Sequence, residues 1–345
     1  MKISVLVLNA CDLGGIERSS FTLVKTLKHA GHAVELVSVY ENSDVALNGA
    51  ESYRLLKGNN ELAKIKNYIN ELEDSTIIIS TYDRLSFLIC IVSIFLRKKH
   101  KLIAHQHADY FAHNSRVRFL RKIGYRIGCD AIVCLTKTDY EFYRQWYKKC
   151  FVIPNILDIE ASQLLGNNDK ISERNTDFIA AGRLHPIKRY TDFIKLHDRL
   201  AKQHVVKFKL FGHGEDYDRL LKLSSSAKTI LQGSTKNMFA EMQDAKFFVV
   251  TSYRESFSMV IVEAMSAGCI VISYDCPTGP GEIITDGVDG FLVPNGDHAA
   301  LVEKCSWLLN NKSDLDPIQD NARSTAKKYL PENVVKKWNA LFQSL

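Results

Sequence analysis

Short runs of aliphatic and β-branched residues alternate with stretches of helical periodicity along the whole chain. In the first half the runs Ile3–Leu8, Val34–Tyr40, Thr76–Ser80, Lys101–Ala104, Ala131–Leu135 and Phe151–Ile153 are predicted strands. In the second half the predicted strands are Phe178–Ala181, Lys207–Phe211, Thr229–Gln232, Phe247–Thr251, Ile270–Tyr274 and Phe291–Val293. Strands that are apolar throughout and separated by helices belong in parallel sheets covered on both faces. The alternation runs twice, broken by a polar stretch around Leu157–Thr176. The expected fold class is therefore α/β, with two doubly wound, Rossmann-like domains, 1–157 and 158–330.

A chain of 345 residues suits two such domains, and 46% apolar with 24% charged residues is a globular balance. The longest apolar run, Leu85–Leu96, has 12 residues. A membrane span needs roughly 20, so a buried helix is expected there. Met1 leads straight into a strand pattern, so neither a signal peptide nor an anchor is expected, and a cytoplasmic location follows. The eight cysteines are scattered without a Cys-x-x-Cys pair, which predicts buried free thiols and no zinc site. A net charge of +6 with no basic–aromatic recognition motif argues against nucleic-acid binding.

In doubly wound sheets ligands bind at the carboxyl ends of strands, and each candidate motif follows a predicted strand. Gly14-Gly15 precedes an amphipathic helix, where bare backbone N–H groups suit a phosphate; a plain turn is the other reading. The spacing is not Gly-x-Gly-x-x-Gly, which argues against a dehydrogenase. His105 and His107 fall in a predicted loop, as acid or base, as hydroxyl ligands or as structural residues; no third ligand supports zinc. Gly182-Arg183 and Lys188 put a rigid fork and a point charge around one strand-to-helix turn, a pairing for a diphosphate without a metal, or simply a solvated basic turn. After the strand ending at Thr251, Glu255 precedes a helix starting at about Ser256–Ser258, with either serine as cap. Glu263 lies inside that helix among Ile261, Val262, Ala264 and Met265, where a carboxylate needs a partner. Pro277–Pro294, with Asp286-Gly287 and Asp289-Gly290, reads first as turn chemistry.

Taken together, Gly14-Gly15, His107, Gly182-Arg183, Lys188, the Glu255-x7-Glu263 pair, and Glu282 with Asp286-Gly287-x-x-Gly290 resemble glycosyltransferase family 4. The resemblance covers nearly the whole chain. It implies the GT-B fold, two Rossmann-like domains facing across a cleft, with the first on the acceptor side and the second binding a nucleotide-sugar. It also implies that 331–345, carrying Trp338 and Phe342, is a helix crossing back to the first domain. Its members retain anomeric configuration, need no metal or other cofactor, and mostly use UDP-sugars. By the same resemblance, Gly14 and Gly15 admit the donor diphosphate and His107 sits beside the donor sugar. Arg183 and Lys188 neutralise the departing diphosphate, and Glu255 holds sugar hydroxyls. Amides of Ser256, Phe257 and Ser258 contact sugar or phosphate, and Glu263 binds the ribose. The Thr278-Gly-Pro-Gly-Glu282 form is similar to bacterial enzymes that build surface polysaccharides such as lipopolysaccharide and capsule, whose acceptors are glycans or lipid-linked glycans. A nucleotide-sugar epimerase of the same architecture and a silent sugar-nucleotide-binding subunit are the rival readings.

Arg116–Ile127, read as a helix, puts Phe119, Ile123 and Ile127 on one stripe with Arg116, Arg118, Arg121 and Lys122 around it. That is the composition of an interfacial helix on anionic lipid, which would place the protein at the inner face of the membrane; a lipid-linked acceptor would explain both this cluster and the basic run Arg97–Lys101. An ordinary helix packing its stripe on the sheet is the alternative.

Overall fold

The structure, a computed structural model, describes residues 1–12, 14–41, 53–159, 170–311 and 314–345. Of the polar break around Leu157–Thr176, residues 160–169 lie outside the described residues. The chain forms two compact units, Met1–Asp158 with Pro331–Leu345, and Ile159–Leu330.

The first unit holds β1 (Lys2–Asn9), β2 (Ala33–Tyr40), β3 (Tyr53–Leu55), β4 (Ile77–Ser80), β5 (Lys101–Gln106), β6 (Ala131–Cys134) and β7 (Cys150–Val152). They form one parallel sheet in the order β3-β2-β1-β4-β5-β6-β7. Its helices are α1 (Gly15–His29), α2 (Glu61–Glu71), α3 (Asp83–Leu96), α4 (Ser115–Gly128) and α5 (Lys137–Arg144). Strand residues alternate between the faces. Val5, Val7, Ile79, Ile103 and Val133 meet Leu23, Val24 and Leu27 on one side. Leu6, Ile78, Leu102 and Ile132 meet Ile65, Leu85, Ile89 and Tyr125 on the other.

The second unit repeats the plan with β8 (Thr176–Ala181), β9 (Phe208–Phe211), β10 (Leu231–Gly233), β11 (Ala245–Val250), β12 (Ile270–Asp275) and β13 (Phe291–Pro294). Their order is β10-β9-β8-β11-β12-β13, again parallel. Its helices are α6 (Tyr190–Leu200), α7 (Tyr217–Leu221), α8 (Ala227–Ile230), α9 (Met238–Gln243), α10 (Met259–Ser266), α11 (Pro280–Ile283), α12 (His298–Asn310) and α13 (Asp316–Lys327). The last helix, α14 (Pro331–Gln343), packs in the first unit. Val334, Trp338, Leu341 and Phe342, at helical spacing, join the core beside α1. Asn339 Oδ1 lies 2.8 Å from His32 Nε2.

Three expectations change. The strand placed at Thr229–Gln232 begins at Leu231, because Ala227–Ile230 forms a helical turn. Strand β5 runs on to Gln106, so His105 is a strand residue rather than part of a loop. The apolar run Leu85–Leu96 is helical but not wholly buried: Phe95 at its end is 82% exposed. All eight cysteines are free thiols.

Candidate active site

The strand order of the second unit reverses between β8 and β11, and ligands of open parallel sheets collect outside such a point. After β8 the chain turns at Gly182, whose N–H donates to Phe211 O at 3.0 Å, while Leu184 N donates to His213 O at 2.8 Å. A side chain at Gly212 would overlap the carbonyl oxygen of Gly182, so this backbone-to-backbone approach requires glycine. Arg183 is exposed, with the buried Leu184 beside it as anchor. His185 Nδ1 then accepts from Ile187 N at 3.1 Å, starting a short 3-10 turn over Pro186–Lys188 that delivers Lys188 toward the end of β11.

There the Lys188 ammonium donates to Glu255 Oε1 at 2.7 Å. Ser252 Oγ donates to the same oxygen at 2.6 Å, and Thr251 Oγ1 holds the Lys188 carbonyl at 2.9 Å. Thr278 Oγ1 donates to the Glu255 carbonyl. The loop continues through half-buried Ser256 to Phe257, whose ring is buried edge-on against Tyr329, so only its backbone is left to meet a ligand. Ser258 takes the N-cap position of α10, but neither serine caps with its side chain, contrary to expectation. Ser258 adopts a left-handed conformation, φ 72° and ψ 69°, and its buried Oγ has no partner. That conformation costs a non-glycine residue about 1–2 kcal/mol. Strain of this kind clusters where a loop must present backbone to a ligand. The first N–H groups of α10 thus lack side-chain acceptors, as an anion or a hydroxyl oxygen would require. Glu263, expected among apolar neighbours, is half-buried instead: Ile261, Val262, Ala264 and Met265 take the core face of the helix. The Asp-Gly stretch is structural, with Asp289 accepting from Thr285 N at 2.7 Å and from Thr325 Oγ1 at 2.7 Å.

In the first unit the order reverses between β1 and β4. Gly14 is the N-cap of α1 without a side-chain cap, and Gly15 opens the helix. Beside them sits Glu17, overlooked in the sequence because an acid in a first helical turn is ordinary. It is buried, and Tyr82 from the loop after β4 donates to its Oε1 at 2.5 Å. Burial raises the Glu17 carboxyl above its ordinary value despite that hydrogen bond. His107 lies just beyond β5 with a buried ring whose Nε2 is 3.1 Å from Nδ1 of His105. Burial pushes the His107 imidazole down to about 4, so it is neutral near pH 7.

Comparison with known proteins settles the family. The model described as Glycosyltransferase Family 4 matches residues 13–161, and that described as Glycosyl transferases group 1 matches residues 166–327. The chain belongs to glycosyltransferase family 4. This glycosyltransferase is 26% identical to the amylovoran biosynthesis glycosyltransferase AmsD of Erwinia amylovora, over 98% of each chain. It is 25% identical, over 98% of its own length and 97% of the other's, to an enzyme of Campylobacter jejuni. That enzyme is named GalNAc-alpha-(1->4)-GalNAc-alpha-(1->3)-diNAcBac-PP-undecaprenol alpha-1,4-N-acetyl-D-galactosaminyltransferase. The solved structure of Anabaena HepE in complex with UDP and glucose matches with a TM-score of 0.80 at 18% identity, covering 100% of each chain. That likeness identifies the fold as GT-B.

One expected surface residue of the glycosyltransferase is not on the surface. Arg121 is 2% exposed and donates to Asp83 Oδ2 at 2.9 Å, so it is excluded from the lipid- or acceptor-facing set. Tyr125 OH donates to Asp83 Oδ1 at 2.7 Å, and the Arg121 guanidinium lies over the rings of Tyr110 and Tyr143. Burial pushes the Asp83 carboxyl up, but hydrogen bonds from His113, Tyr125 and Arg121 and the Arg121 charge outweigh it and hold the group below its usual range. Helix α4 is therefore turned the other way from an ordinary packed helix. Arg121, Gly124 and Tyr125 face inward, while Phe119 and Ile127 are each 62% exposed and Leu120 and Ile123 are exposed with them. Arg116 stays exposed, and Arg118 and Lys122 are half-buried against Phe111 and Trp146. Among the described residues no helix is long and apolar enough to cross a membrane.

Proposed function

We propose that this glycosyltransferase moves a sugar, with retention and without a metal ion, from a UDP-sugar to a lipid-linked or polysaccharide acceptor. The observation that carries the reading is the Lys188–Glu255 pair, 2.7 Å apart at the carboxyl ends of β8 and β11, with Arg183 exposed on the same loop as Lys188. A leaving diphosphate gains negative charge as the glycosidic C1–O bond breaks, and cations already in place stabilise that charge without solvent reorganisation. Lys188 and Arg183 supply it where a divalent ion would otherwise be needed. Glu255, the bare N–H groups of α10 and the half-buried Glu263 offer acceptors and donors for sugar and ribose hydroxyls. No side chain is cast as a covalent nucleophile. The acceptor oxygen bonds C1 on the face the phosphate leaves, and its proton passes to the departing phosphate oxygen, which retains the configuration. In the first unit, the Gly14-Gly15 turn is cast as the approach for the diphosphate and His107 as the partner of a sugar hydroxyl.

UDP is supported by the UDP in the HepE structure, and a lipid-linked glycan by the undecaprenol-linked substrate in the name of the Campylobacter relative. The outward face of α4, Phe119, Leu120, Ile123 and Ile127 flanked by Arg116, Arg118 and Lys122, matches an anionic bilayer, with apolar side chains for the acyl boundary and cations for headgroups. Sedimentation with anionic and neutral vesicles at low and high salt tests this, and equal non-binding in every condition removes it. For the transfer itself, thermal stabilisation by a panel of nucleotide-sugars selects the donor. Transfer from that donor should survive EDTA and drop at least about a hundredfold in Arg183→Ala. Near-full transfer by a folded Arg183→Ala would defeat the assigned clamp.

A further inference from the structure

His105 is buried out of proportion to what packing alone asks of it. It sits at the end of β5 only 5% exposed, and its Nε2 has no hydrogen-bond partner. A leucine would fill such a site without stranding a polar atom, which costs stability. What the imidazole adds is one contact, its Nδ1 at 3.1 Å from His107 Nε2, with ring centroids 4.1 Å apart. Burial holds His107 down at about 4, and burial with the neighbouring His107 holds His105 well below its ordinary value, so both rings are neutral.

Two neutral imidazoles at that distance share one hydrogen. If His107 Nε2–H donates, both rings keep the Nε2–H form that a free neutral imidazole prefers. The surplus N–H of His105 then stays without an acceptor, in a ring that meets the Trp338 indole at 84° with centroids 5.2 Å apart. That edge-to-face packing serves either tautomer, so the choice between them falls to the form the ring itself prefers. If His105 donates instead, both rings must take the rarer Nδ1–H form and a lone pair is stranded. The first arrangement is the better one, and it has a consequence at the other edge of His107, where Nδ1 carries no proton.

We propose that His105 is a positioning residue that fixes the plane of His107 and its Nε2–H tautomer, so that His107 presents a bare Nδ1 as acceptor for a hydroxyl of the sugar being transferred. The proposal rests on the reading above that His107 meets the sugar. Its first test does not: side-chain 15N spectra of the full, unliganded chain read the tautomer directly. His107 is expected as a single form protonated at Nε2, and His105→Leu is expected to give a mixture of both forms. A wild-type His107 protonated at Nδ1, or already exchanging between forms, overturns the proposal even if His105→Leu fails to fold. In transfer assays, His105→Leu should lower kcat about tenfold, the loss of one well-aligned hydrogen bond, with donor KM unchanged to about twofold. His105→Asn, whose Oδ1 replaces Nδ1 as acceptor, should recover most of it. A folded His105→Leu with wild-type kcat overturns the proposal; absence of transfer from the wild type would instead remove the transferase reading and leave the tautomer result standing.

Discussion

Lys188→Met and Glu255→Gln, alone and together, separate what the ion pair does for the fold from what it does for transfer. The pair is 2.7 Å long, with the lysine 24% and the glutamate 8% exposed. Methionine keeps much of the lysine stem and removes the charge. Glu255 then retains the Ser252 hydroxyl at 2.6 Å, so it is not stripped of every partner. The expected loss is about 2 kcal/mol rather than the 3–5 kcal/mol of an orphaned buried charge. Glu255→Gln keeps an acceptor in place and should cost about 1 kcal/mol. If the pair is the source of both losses, the double variant should fall short of their sum by about 1–2 kcal/mol. Turnover should not follow. With Lys188 in its proposed place at the leaving diphosphate, loss of its charge should lower kcat by about 10²–10³, and a glutamine at 255 supplies no cation to replace it. Urea unfolding and transfer rates on the four proteins read both quantities. Additive stabilities, or a double variant whose turnover recovers along with its stability, would refute the reasoning.

Three further outcomes are expected. Arg121→Met leaves the Asp83 carboxylate inside the first unit without its closest cation and should cost about 3 kcal/mol, read as a urea midpoint shift. By contrast, Phe119→Ser with Ile123→Ser and Ile127→Ser should leave the melting temperature nearly unchanged while abolishing pelleting with anionic vesicles; a large loss of stability would mean that the face is packed. The buried His105 and His107 bind protons below their ordinary 6.5 when folded, so their contribution is fully present above 6.5 and is lost as pH falls from there toward about 4. Plotted against pH over that window, the stability of His105→Leu should show a shallower acid decline than the wild type, and parallel curves would contradict the assigned burial.

Strand succession, two parallel sheets and the placement of motifs at strand ends could be read from the residues, because a strand buried on both faces leaves an unbroken apolar run and a doubly wound sheet leaves few other arrangements. Lys188 and Glu255 were also nameable, since each is a charged residue just after such a run. Their contact was not, because it depends on how the turn at Pro186–Lys188 is aimed. Glu17 and the contact of His105 with His107 stayed hidden for a related reason: a single residue type says nothing about a neighbour supplied by another strand's loop or by the next turn of the backbone.

Helix α4 shows how a periodic pattern misleads. Its apolar stripe marked one face correctly, and the usual rule assigns that face to the core. A second periodicity in the same segment, Arg121, Gly124, Tyr125 and Gly128, was the one that packed. At Gly124 an added Cβ would lie 2.5 Å from the Phe87 ring, and at Gly128 it would lie 2.8 Å from Cys90 Cα, so the two glycines let α4 seat directly on α3. Close seating brings Arg121 onto Asp83 at the first turn of α3, where a hydrogen-bonded ion pair and two aromatic faces offset its desolvation. Glycines four apart beside an arginine thus competed with four large apolar residues and won, because helix approach is set by the smallest side chains on a face. The apolar residues were left outside, four large side chains exposed together on one face of α4. The cations around them are why an anionic bilayer is the counterpart proposed above, and the orientation of α4 is what turns a composition shared with any amphipathic helix into a surface that can be tested.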